Sequence, residues 1–180
     1  MTVVDSPVVY RLGLQRVLEN GAVAQFFDES DARHYIREVT VRDRGEVDLY
    51  KTARKLGIRL ANFPDLAPVW GHYTPRTALN NTSGRPLIEL NPGLSDDERQ
   101  LTFCHEVGHH FIEEVVDMSP HFVGTVHNDI SEAFCEYFGY EMDRPGVHSP
   151  AELEALVKKE YKIPEDYPDH IVNLQLGIYS

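Results

Sequence analysis

Cysteine is scarce in this chain: Cys104 and Cys135 are the only two in 180 residues. Two cysteines make no disulfide framework, and a reducing cytoplasm is their simplest compartment. Long apolar runs are also missing, since no stretch reaches the ~20 residues that span a bilayer. The opening Met1-Thr2-Val3-Val4-Asp5 lacks the basic start and apolar stretch of a secretory signal. The expectation is a cytoplasmic protein without a membrane partner. Asn80-Asn81-Thr82 and Asn81-Thr82-Ser83 match the glycosylation acceptor, but without export they read as turn residues ahead of Gly84. Basic residues are short too, with 17 Lys and Arg against 29 Asp and Glu, a net charge of −12. Residues 1–60 hold ten basic against nine acidic side chains, whereas residues 61–180 hold seven against twenty, a balance of −13. That acidity argues against direct contact with nucleic acid and favours a basic substrate.

What the acidic part contains is a motif. His105-Glu106-Val107-Gly108-His109 reads H-E-x-x-H. Four residues apart on a helix, His105 and His109 lie on one face, one turn above the other, and offer two imidazoles to one metal ion. Glu106, at the edge of that face, is placed to act as a general base toward a water at the ion. The helix is well signed: Ser95-Asp96-Asp97-Glu98 is a capping box, and apolar residues recur at helical spacing from Leu101 to Val115. Gly108 costs about 1 kcal/mol of helix propensity relative to alanine, and its lack of a side chain suits close approach of another backbone. Ser119-Pro120 marks the expected helix end.

A third ligand from the same helix is disfavoured, because Glu113 rises ~12 Å above His105 at helical pitch. A second helix is expected from Asn128 or Asp129 to Tyr140, with Glu132 and Glu136 four apart on one face. Two stacked carboxylates repel unless a cation faces them. Glu132 is therefore read as the third ligand, and Glu136 as a group that orients a ligand histidine. Cys104 and Cys135 lie on the two site helices and read as small core residues where those helices pack, with a ligand or redox role for Cys135 as the alternative. His110 points about 100° away from His109 and reads as a supporting or surface residue. Tyr73, His121, His127, Tyr140 and His148 are candidate donors to the oxyanion of a tetrahedral intermediate.

The run from Leu49 to Pro145 resembles the ImmA/IrrE metallopeptidases, a gluzincin-type family. Its pattern is H-E-L-G-H, then E-x-x-A-N-x-F-A, then a proline beyond the second helix. Those places hold His105 to His109, then Glu132, Cys135, Glu136, Phe138 and Gly139, then Pro145. The departures are Cys135 and Gly139 for small alanines and Glu136 for asparagine. The resemblance covers about half the chain, and its specific part is the two helices. It implies a zinc endopeptidase with Glu132 as third ligand and an edge strand that holds substrate backbone beside the metal. It also implies a helix-turn-helix repressor or antitoxin as substrate, cut in a stress or phage response. Two other readings stay open: a metal-holding module that binds a regulator without cutting it, and a toxin restrained by a small DNA-binding partner.

The fold expected is α+β, with a small mostly antiparallel sheet, a zincin-like pair of active-site helices and a helical C-terminal tail. Residues 1–45 form an N-terminal extension in which Ser30 caps a helix to Val39. Residues 46–148 form the core. Asp48 caps a helix that Gly57 stops, and strands fall at 58–63, 69–74 and 87–91. Residues 149–180 form a helical segment packing on the core, opened by the capping box Ser149-Pro150-Ala151-Glu152 and closed by a helix ending near Leu176-Gly177. With three Lys against six Asp and Glu, that segment does not suit DNA reading.

Overall fold

A computed structural model describes residues 13–17, 23–64, 69–115, 125–147, 149, 152, 155 and 174–177. The architecture is α+β with small sheets. Strands β1 (Gly13–Val17) and β2 (Val23–Asp28) form an antiparallel pair and lead into α1 (Glu29–Val39). Ser30 lies inside α1 rather than ahead of it. A two-residue hairpin follows, β3 (Arg42–Asp43) and β4 (Glu46–Val47). Its turn puts Arg44 and Gly45 at φ 52° and 90°, the left-handed pair that matches strand twist in a tight hairpin.

Helix α2 (Leu49–Leu56) begins where the Asp48 side chain accepts the Lys51 N–H at 2.9 Å. It ends at Gly57, whose φ of 72° lets its N–H turn back onto the carbonyls of Ala53 and Arg54. The central sheet is β5 (Arg59–Asn62), β6 (Gly71–Thr74) and β7 (Leu87–Leu90), in the spatial order β5-β7-β6. It is mixed rather than mostly antiparallel: β6 runs against β7, but β5 runs parallel to it. The parallel pair arises because the chain crosses over β6 between β5 and β7. This leaves β6 at an edge, next to the site helices.

Helix α3 (Asp96–His110) carries a full capping box, with Ser95 and Glu98 exchanging side-chain and backbone bonds. It does not run on as an α-helix: Phe111–Val115 form a π-helical turn. Helix α4 (Thr125–Asp143) starts ahead of Asn128 and Asp129, which lie inside it rather than at its cap. The core lies between α3, α4, α1 and the central sheet, and Phe103, Val107, Phe134, Tyr137, Phe138, Ile88 and Leu90 are fully buried in it. Ala32 and Ile36 of α1 belong to the same core. The Tyr35 ring sits 5.0 Å from that of Phe111, and Arg33 donates to the Tyr137 hydroxyl at 3.0 Å.

The expected capping box at Ser149 is present, with Ser149 and Glu152 bonded reciprocally at 3.0 and 3.2 Å. The helix expected to end near Leu176-Gly177 is instead strand β8 (Leu174–Gly177), parallel to β1. Leu174-Gln175-Leu176 alternates with the period of a strand, and pairing with β1 supplies the partner that a lone strand needs. Ser119-Pro120 lies outside the described residues. None of the described helices is long and apolar enough to cross a membrane.

Candidate metal centre

Helices α3 and α4 pack closely at a glycine on each, where a side chain would make the neighbouring helix give by a few tenths of an ångström. A Cβ on Gly108 would come within 3.0 Å of Cys135 Cα, and one on Gly139 within 3.1 Å of the His105 nitrogen. Cys104 and Cys135 are fully buried among these helices, so they are core residues as expected. Burial pushes both thiols well above the ordinary range. Gly139→Ala should therefore matter beyond stability. Overpacking of about 1–3 kcal/mol exceeds the helix propensity gained, about 1 kcal/mol. The strain falls on the His105 backbone, so metal affinity should drop about tenfold, read by chelator competition beside a denaturation curve. An unchanged affinity with lowered stability would detach Gly139 from the site.

This packing brings His105, His109 and Glu132 together, with one donor atom from each lying within 4.8 Å of the others. Glu132 Oε2 stands 3.1 Å from His105 Nε2, and Oε1 stands 3.2 Å from His109 Nε2. The two imidazole rings are 5.1 Å apart. On its other side His105 Nδ1 meets Glu136 Oε2 at 3.0 Å. An Nδ1–H donated to Glu136 leaves the Nε2 lone pair facing Glu132, the tautomer a metal ligand needs.

The electrostatics favour a cation. Burial pulls the His105 pKa down, but bonds to Glu132 and Glu136 overcome it and push it up to about 10. Burial also opposes the charge on Glu132, yet its bonds to His105 and His109 hold its carboxyl well below the usual range. A ring with a carboxylate at each nitrogen is either doubly protonated or has a cation in place of one proton. Two imidazoles and a carboxylate converging on one point thus fit a divalent ion, and the His-His-Glu group lies within metal-binding distance.

Glu106 is 6 % exposed and lines the same cavity, of about 370 Å³, as the three donors. Burial raises its pKa. Sequence reasoning passed over Gly71 and His72 of β6, which form the facing wall. A Cβ on Gly71 would lie 2.6 Å from Thr102 Cγ2 and 3.1 Å from Glu106 Oε1. The signal was available, because a lone glycine in a strand often marks a close approach.

The candidate oxyanion donors narrow. The Tyr73 hydroxyl lies 3.1 Å from His110 Nδ1. His110 is buried rather than at the surface, and burial drops its pKa to about 4. Tyr73 lines the cavity, and this contact with a neutral His110 holds its hydroxyl in place, so Tyr73 stays a candidate donor. Tyr140 lines a different depression, with Trp70, Asp97 and Leu101. His121, His148 and the side chain of His127 lie outside the described residues. His72 is the further ring on the described cavity wall.

No protein-family model, curated protein or solved structure matches this chain.

Proposed function

We propose that the chain is a zinc-dependent endopeptidase. The observation that carries this reading is the spacing of the donors. One donor atom from each of His105, His109 and Glu132 lies within 4.8 Å of the other two, close enough to meet one ion, and a Glu132 oxygen faces each histidine nitrogen, Oε2 at 3.1 Å and Oε1 at 3.2 Å. Two nitrogens and one carboxylate suit zinc among the common ions and leave a fourth position open, the mark of a catalytic site. An ion held there supplies Lewis-acid polarisation of a peptide carbonyl and a lowered pKa for water. The protein's part is positional and protolytic. Glu106 takes a proton from the attacking water and returns it to the leaving amine. Edge strand β6 lies beside the cavity and is placed to pair with an extended substrate backbone.

The substrate reading rests on charge and on resemblance to the ImmA/IrrE metallopeptidases: a basic helix-turn-helix repressor or antitoxin, met in the cytoplasm. Opposite charge mainly speeds encounter and is screened within a Debye length of about 8 Å at physiological salt. Initial cleavage of such a repressor at sub-saturating concentration should slow as salt rises, while the maximal rate changes less. Operator DNA should protect a cut near the repressor's basic face. Mass spectrometry of the repressor after incubation with this protein and zinc identifies products. An intact repressor held in a stable complex would instead mean a binding module, and a rate indifferent to salt and operator would remove the electrostatic part.

A further inference from the structure

We propose that Glu113 selects the substrate: its carboxylate receives a lysine or arginine side chain lying within about two residues of the scissile bond. This rests on the proteolytic reading of the same cavity and names the side chain that the cavity takes.

The π-helical turn is the starting point. Such turns are rare and recur at functional sites, and this one carries Ile112 and Glu113 onto the cavity wall beside His109. The neighbouring carboxylate is already in use. Glu114 accepts from both the backbone N–H and the Nε of Arg76, at 3.0 and 2.6 Å, which ties the turn to the loop after β6. With Glu114 engaged by Arg76, Glu113 is the one of the pair that lines the cavity, and among the described residues no hydrogen bond or ion pair engages it. It is half-buried, and burial raises its pKa. The attraction of His109 for this carboxylate needs a charged ring and is lost when that imidazole is neutral, and a partly desolvated carboxylate is then costly until a cation meets it.

The rest of the wall agrees. Glu106, Glu113 and Glu132 line the cavity, and no lysine or arginine of the described residues does. A divalent ion offsets two of those charges and leaves an acidic excess. Val69, half exposed, and Ile112 add apolar wall to the same cavity. A carbon stem against that wall with its charged head at Glu113 is the way lysine and arginine bury. Four residues beyond His109 and across the π-helical turn, Glu113 stands about one turn, roughly 5 Å, further along the helix axis. An extended chain advances about 3.3 Å per residue, which sets the reach of about two residues.

The test uses the full chain carrying Glu106→Gln, so that peptides bind without being cut. The probes are three synthetic fluorescent peptide pools. Each varies uncharged residues around one fixed central position, which is lysine, norleucine or glutamate. The lysine pool should bind about tenfold or more tighter than the glutamate pool, the scale of a charged hydrogen bond. Adding Glu113→Gln should reduce that ratio to about threefold or less, and Glu113→Lys should invert it. Asp97→Asn removes the same charge from the exposed start of α3 and should leave the ratio in place. Melting curves confirm that each variant is folded, and Glu113→Asp serves as the shorter carboxylate if Glu113→Lys is not. If Glu113→Gln leaves the ratio unchanged, or Asp97→Asn lowers it equally, the assignment is overturned. Cleavage of the pools by the protein with Glu106 intact is scored separately. Its absence would count against the proteolytic reading, while the affinity ratios still decide Glu113.

Discussion

Glu106→Gln should leave the protein folded and metal-loaded, yet lower cleavage at least ~100-fold, the lower range for general acid–base catalysis. Glutamine keeps the shape of glutamate and removes its basicity. Shape matters here, because Glu106 is 6 % exposed and β6 approaches it at Gly71 closely enough that a Cβ would stand 3.1 Å from Oε1. A shorter residue would open a gap against the strand, whereas glutamine fills the same space. The proposed donors to the ion are His105, His109 and Glu132, so metal affinity should change little. Stability adds a second readout. Burial raises the folded pKa of Glu106 above its ordinary value, so the folded state holds that proton more tightly than the unfolded one. Stability from this group is therefore present at low pH and is lost as pH rises beyond the unfolded pKa, about 4.3. Glutamine mimics the protonated form, so the metal-free variant should match wild type in acid and equal or exceed its stability at neutral pH. Near wild-type cleavage by the variant would sink the general-base role, and a neutral-pH loss of stability would contradict the burial argument.

The parts of this molecule legible in sequence were those set by local chemistry. Ser95 with Glu98, Asp48 with Gly57, and Ser149 with Glu152 announce helix ends because a side chain must satisfy a backbone group only a few residues away. The four-residue spacings of His105 with His109, and of Glu132 with Glu136, transfer directly to one helix face each. What was hidden depends on partners distant in the chain. The π-helical turn at Phe111–Val115 has no local signal, and its register is held in part by Glu114 reaching Arg76. The parallel pairing of β5 with β7 is likewise a matter of crossover rather than composition. His110 reads as a supporting or surface residue in sequence because its environment is supplied by Tyr73, 37 positions away. At β8, Leu176-Gly177 resembles a helix stop, and only the pairing with β1 resolves it as a strand.

The same separation of roles orders the expected losses of metal. His105→Ala, His109→Ala and Glu132→Ala should each weaken binding by more than ~100-fold, and Glu136→Gln by about 10–100-fold, the range for groups that orient a ligand. The grading follows from geometry. Glu132 spans both Nε2 atoms at 3.1 and 3.2 Å, so its removal strips one donor and the charge that faces the pair. Glu136 meets only Nδ1 of His105, at 3.0 Å, so its amide frees the ring to turn and change tautomer without removing a donor. Packing should survive all four changes, since Phe103, Val107, Phe134 and Phe138 lie on other faces of the two helices and stay buried. Competition with a chromophoric chelator gives the affinities, elemental analysis the stoichiometry, and thermal melting of the metal-free forms the control. If Glu132→Ala kept full metal at unchanged affinity, the third-ligand role would be lost. Cys135 would not inherit it in this packing, because it is fully buried with its backbone against Gly108. If Glu136→Gln cost as much as Glu132→Ala, the division between holding the ion and orienting His105 would be wrong, and the two carboxylates of α4 would have to share the coordination.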